Sequence, residues 1–154
     1  MRGLGTLLLA SMIAVIAGSA CAKDLAICGA SAGYGYYPRI GLTASSETAG
    51  KWTDDAISGG RMTLVALADN KLDLLIADAS GSIFSSTQDG GHVVALGRTP
   101  NAIAIAVVYP GSIESYTFLR SRTGPEVIWT SNKFNAPIVK AAAYRAECSL
   151  IDFG

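Results

Sequence analysis

The chain has 154 residues, 50% of them hydrophobic, with 12 Lys+Arg against 12 Asp+Glu. That length supports one domain with its own core, and the charge balance gives no electrostatic footing for nucleic acid or an anionic membrane surface. Three cysteines and one histidine leave no clustered Cys/His set of the kind zinc requires.

In chain order, the first element is a secretory signal. Arg2 precedes an apolar run from Leu7 to Ala17, and small residues follow, ending in Ala20-Cys21-Ala22, an A-x-A cleavage pattern. This run is shorter than the roughly 20 residues that span a bilayer, and no later run approaches that length. The expectation is a signal peptide over residues 1–22 and a single β domain over 23–154, exported to the periplasm or the medium, with no integral membrane span in the processed chain. Lipid attachment at Cys21 is the alternative anchor, although Gly18 stands where lipoprotein signals place an aliphatic residue. Cleavage after Ala22 leaves Cys28 and Cys148, and two thiols in an oxidising compartment pair.

Asp24–Cys28 reads as a first strand. Gly29–Pro38 is rich in Gly and Tyr and reads as an irregular loop displaying Tyr34, Tyr36 and Tyr37. Residues 41–60 are polar and turn-rich, a long surface connection with at most a short strand about Trp52. From Arg61 the punctuation becomes regular. Apolar runs at Arg61–Ala68, Leu72–Ala77, Ile83–Thr87, His92–Arg98, Ala102–Tyr109, Ile113–Ser121 and Glu126–Phe134 are separated by Asp, Asn, Gly, Pro and Ser turns.

Within these runs Leu72, Leu74 and Ile76 share one strand face, as do Ile103, Ile105, Val107 and Tyr109. The Ala102–Tyr109 strand and the Val127–Thr130 segment carry few polar residues on either face, which predicts cover on both sides. Leu64–Ile76 also has a helical stripe, but Asp69-Asn70 in its middle favours a turn. Residues 137–147 fit either element. Pro137 and the alanines suit a helix, whereas Ile138, Ala142, Tyr144, Ala146 and Cys148 would line one strand face, and the strand is preferred. The fold expected is all-β, an antiparallel meander of about eight strands closed as a small barrel, with a two-sheet β-sandwich as alternative. A Cys28–Cys148 bridge would then join the first and last strands, which are neighbours in a barrel.

Chemical motifs are sparse. Asp78 and Asp89-Gly90-Gly91 are single-acid turns, too poor in oxygen ligands for calcium, and no metal or cofactor is expected. His92 has Ser85, Ser86 and Asp89 nearby in sequence but reads as an exposed strand-end residue, since a catalytic triad is defined in space. Of the acids Glu47, Asp54, Asp55, Glu114, Glu126 and Glu147, none can be paired as a glycosidase requires, and Asp54 and Asp55 would point to opposite faces of a strand. No catalytic residue is assigned, and no phosphate-loop motif occurs.

The segment Ile83-Phe84-Ser85-Ser86-Thr87-Gln88-Asp89-Gly90-Gly91-His92 is similar to the Asp-box hairpin of sialidases and related propellers, with one extra residue between Ser86 and Asp89 and Val93-Val94 in place of the final Thr-Trp. The resemblance implies a structural β-hairpin and no activity. The strongest functional lead is aromatic. Tyr34, Tyr36, Tyr37 and Trp52 are candidate binding residues, able to stack on a ligand or anchor a partner. The function expected is that of a small exported non-enzymatic protein binding a small apolar ligand or a protein partner. The alternatives are an envelope-associated structural protein and a secreted hydrolase.

Overall fold

The computed structural model describes residues 22–78 and 80–154, so the expected signal segment up to Cys21 lies outside the described residues. Ten strands form: β1 (Lys23–Tyr36), β2 (Trp52–Ile57), β3 (Arg61–Ala66), β4 (Leu72–Ala77), β5 (Ile83–Ser85), β6 (His92–Thr99), β7 (Ala102–Tyr109), β8 (Ser112–Ser121), β9 (Gly124–Lys133) and β10 (Lys140–Ile151). They pair antiparallel in one sheet of order β5-β4-β3-β1-β10-β9-β8-β7-β6, with β2 beside β1. The sheet curls strongly into a half-barrel, as the expected antiparallel meander requires. A single sheet replaces the sandwich alternative. Among the described residues no helix is long and apolar enough to cross a membrane.

Spatial neighbours follow chain order around the curl, and β1 pairing with β10 joins its two halves. The segment 137–147, undecided between helix and strand, contributes β10 from Lys140. Its alternation buries Ala142, Tyr144, Ala146 and Cys148, and burying that face stabilises more than alanine helix propensity returns. Cys28 and Cys148 sit directly opposite each other. Their sulfurs are bonded, their Cα atoms are 3.8 Å apart, and they are 120 residues apart in sequence. Register shifts lie on both sides of Cys28 in this ladder.

Two expectations near the N-terminus are corrected. Gly29–Pro38 is not an irregular loop: β1 continues through it to Tyr36. Its glycines and tyrosines alternate, with Gly33 and Gly35 on the inner face and Tyr34 and Tyr36 on the outer, so the segment obeys the strand period. The surface connection contains a full strand, β2, which takes the count to ten. β2 pairs with Ser31–Tyr36 of β1, and β3 pairs with Lys23–Cys28 on the same side. The two lie end to end, and the chain bends between them at Ser58-Gly59-Gly60, where Gly59 has a φ of 72°.

The core lies inside the curl. Leu64, Leu74, Ile105, Val107, Tyr116, Phe118 and Val127 are fully buried there. The predicted inner rows of β4 and β7 hold, but cover on both faces does not. Val108 and Ile128 are exposed on the outside, because one curled sheet has no second layer over its outer face. One end of the half-barrel is plugged by the C-terminal residues. Phe153 is buried, Asp152 N donates to Leu25 O at 2.7 Å, and the Arg120 guanidinium lies 5.4 Å from the centre of the Phe153 ring.

The Ile83–His92 segment is not a hairpin. β5 pairs with β4, β6 pairs with β7, and no ladder joins β5 to β6. The Ser86–Gly91 turn instead bridges the two free edges of the sheet. An aspartate organises the turn, but from outside the segment: Asp73 on β4 accepts from Ser85 Oγ at 2.5 Å and from Thr87 Oγ1 at 2.9 Å. Gly91 permits close packing, since a Cβ there would stand 2.7 Å from the Tyr109 ring.

Because the bridge ties nearly the whole domain into one loop, replacing both cysteines (Cys28→Ser with Cys148→Ser) should destabilise the protein by about 2–5 kcal/mol. The comparison is urea denaturation of this variant and the oxidised protein, and an unchanged midpoint would show that the bridge contributes nothing.

Candidate functional site

The end opposite the Phe153 plug is open, and its interior is built in rungs across the sheet. In the first rung Ile105, Tyr116, Trp129, Tyr144, Gly33 and Asp55 stand opposite one another in turn on β7, β8, β9, β10, β1 and β2. The rings of Tyr116 and Trp129 are 5.3 Å apart at 14°, and those of Trp129 and Tyr144 are 4.3 Å apart at 26°. Each face is turned to the next ring, and Trp129 Nε1 donates to Ser31 Oγ at 3.1 Å.

The next rung outward aligns Val107, Glu114, Ser131, Ala142, Gly35 and Thr53. Glu114 is buried, accepting from Tyr116 OH at 2.6 Å and Ser131 Oγ at 3.3 Å. Burial, reinforced by the Glu114 charge and hydrogen bond, holds the Tyr116 phenol well above its ordinary range. A third rung at the rim aligns Ser112, Lys133 and Lys140.

Gly33 and Gly35 make the first two rungs possible. A Cβ on Gly33 would run into the Ala143 carbonyl oxygen and the Tyr144 Cα, and one on Gly35 would stand 2.8 Å from Asp55 Oδ2. With no side chain there, Tyr144 reaches across β1 and donates to Asp55 Oδ2 at 2.6 Å. The same oxygen accepts from Tyr37 OH at 2.8 Å and Lys140 Nζ at 3.0 Å, and Lys140 also donates to Tyr144 OH at 2.8 Å. This cluster latches β2 to β10 over the glycine gap. Burial pushes the Asp55 carboxyl up, but the hydrogen bonds from Tyr144, Lys140 and Tyr37 and the Lys140 charge outweigh it and hold the group below its ordinary value. Burial and the bond to Asp55 raise the Tyr144 phenol, so it stays a protonated donor.

These rungs enclose a hollow of about 220 Å³ whose lining includes Tyr116, Trp129 and Tyr144 inside, Glu114 and Ser131 above them, and Lys133 and Lys140 at the rim. Among the described residues no group of His, Cys, Asp and Glu is arranged to hold a metal ion. His92 is exposed at the start of β6. Ser85 Oγ is committed to Asp73, and Ser86 Oγ is buried without a partner.

The four aromatic residues singled out from sequence part company. Tyr34 and Trp52 are 59% and 60% exposed on the outer face. Tyr36 packs against Trp52 with ring centres 5.7 Å apart. Tyr37 alone joins the cluster around Asp55. Asp54 and Asp55 point to opposite sides, as their adjacency predicted. Sequence reasoning missed Tyr116, Trp129, Tyr144, Lys133 and Lys140. Two signals were available: a Gly-x-Gly pair in phase with a strand, and Glu114 in the same phase as Tyr116 and Phe118 on an apolar face. No family model, curated protein or solved structure matches this chain.

Gly33→Ala should destabilise the fold by about 1–3 kcal/mol through overpacking, whereas Tyr34→Ala on the outer face should stay within about 0.5 kcal/mol. Urea midpoints of the two variants test the glycine gap, and equal losses would refute it.

Asp55 has a folded-state pKa below its unfolded value, so its contribution is complete above the unfolded pKa and is lost as pH falls through the folded one. The stability advantage of the wild type over Asp55→Asn should therefore be present at neutral pH and shrink on acidification below about pH 4. Urea midpoints taken across that range measure it, and a constant difference would show that the carboxylate is not held in its charged form.

Proposed function

We propose that this is a small exported binding protein without catalytic activity, holding a small ligand in the hollow at the open end of the half-barrel. The observation that carries this reading is the contrast between the two ends. One is sealed by Phe153. The other keeps a hollow with an apolar aromatic wall and a few convergent polar groups, the usual composition of a ligand site. Its volume lies below the roughly 300–1,000 Å³ of sites for drug-sized molecules, which favours a ligand of metabolite size. The Cys28–Cys148 bridge suits a compartment outside the cytoplasm.

A protein partner is the second reading, favoured by Tyr34 and Trp52, which stay exposed on the outer face beside the unpaired edge of β2. Native mass spectrometry of protein purified from its own host, with crosslinking in the intact cell, tests both. A small molecule released on denaturation supports the ligand reading, and a crosslink through Tyr34 or Trp52 supports the partner reading. A preparation with neither rejects the binding-protein proposal and leaves the envelope-structural alternative.

A further inference from the structure

We infer that the ligand of the hollow is a small zwitterion of the amino-acid or betaine type, its cationic group held by Glu114 in the interior and its carboxylate by Lys133 at the rim. This rests on the reading that the hollow is a binding site, and it follows from the charges that line the hollow without an ion pair among the described residues: Glu114, which is buried, and the more exposed Lys133, Arg61 and Asp78. Glu114 is 8% exposed and lines the hollow, yet among the described residues it forms no ion pair. Tyr116 and Ser131 occupy part of its acceptor capacity, and a carboxylate offers about four lone-pair sites. Lys133 lines the same hollow one rung outward and is also without an ion pair, whereas its neighbour Lys140 is committed to Asp55.

A buried charge without a counter-charge is costly. Glu114 and Lys133 do not satisfy each other directly, which leaves a gap between opposite charges. An apolar ligand would cover both without compensating either. A simple cation or a simple anion would compensate one and further desolvate the other. A ligand bearing both charges compensates both, and its orientation is set: cation inward, carboxylate outward. Arg61 and Asp78, both exposed, also line the hollow and are of opposite sign, so together they leave its net charge unaltered. Ring faces do not supply the cation site, because Tyr116, Trp129 and Tyr144 stack on one another. They form an apolar wall for the hydrocarbon part instead.

Ligand-observed NMR on the intact folded protein tests this, using the proteinogenic L-amino acids and glycine betaine as probes. The tightest binder is then compared with its amide, which lacks the carboxylate, and its N-acyl or otherwise uncharged-nitrogen analogue, which lacks the cation. At least one zwitterion should bind, and each analogue should bind about tenfold or more weakly. Lys133→Met should weaken the zwitterion about tenfold and leave the amide unchanged. Glu114→Gln should weaken the zwitterion and leave the analogue without the cation unchanged. If Glu114→Gln does not fold, the rim variant and the analogue series decide. Equal affinity for parent and analogues would overturn the zwitterion, as would failure of every probe to bind. In either case a ligand found by native mass spectrometry would leave the binding-protein reading standing.

Discussion

The rest of the structure depends on the pairing of β1 with β10. β1 lies in the middle of the sheet, so the last strand must return to the first before the two halves, β3 to β5 and β6 to β10, become one surface. That contact closes the longest loop the domain contains, and loop closure must precede the contacts that repay it. The covalent link sits on this ladder, between Cys28 and Cys148. The first two rungs of the hollow cross the same seam: Tyr144 is on β10, the glycine it passes is on β1, and the aspartate it reaches is on β2.

The inner face is divided along its length. Toward the Phe153 end the buried positions are apolar or small, as in the row Ile103, Phe118, Val127, Ala146, with Arg98 and Arg120 exposed at its border. Toward the open end they pass through stacked aromatics to Glu114 and Ser131 and then to the two lysines. Inner-facing glycines fall in this second half, where removing a side chain makes room for others to meet. Glycine inside a strand weakens it by entropy and lost packing. Here the loss is offset by the Tyr37, Tyr144 and Lys140 contacts converging on Asp55.

The strand pattern from Arg61 onward was legible because each apolar run ends in a turn whose residues have a physical reason to be there. The bridge was legible from the expectation of export and from the two cysteines, Cys28 and Cys148, that lie beyond residue 22. The course of Gly29–Tyr36 was not, because glycine permits a strand as readily as a loop and only the neighbours β10 and β2 decide between them. The Ser86–Gly91 turn was misread for a similar reason: the acid that organises it, Asp73, lies on another strand, and a local motif cannot show that. The hollow was hidden because its walls come from seven strands. Of its acidic residues Asp78 and Glu114 stand out in the sequence, and no spacing links them.

Local choices in a chain normally agree with its fold, and departures concentrate where function demands them. In this domain the departures that are buried in or border the hollow share one end. Glu114 occupies an inner position that Leu or Phe would fill, Gly33 and Gly35 interrupt a strand interior, and Lys133 and Lys140 stand in phase with Trp129 and Tyr144. At the other end the row from Ile103 to Ala146 is apolar, and the charges in phase with it, Arg98 on β6 and Arg120 on β8, are exposed rather than buried. A domain selected for stability alone would carry its apolar rows through to both rims. Retaining an unpaired carboxylate and an unpaired ammonium around one hollow works against stability, and such a retained cost favours a ligand that compensates both charges over a purely structural role.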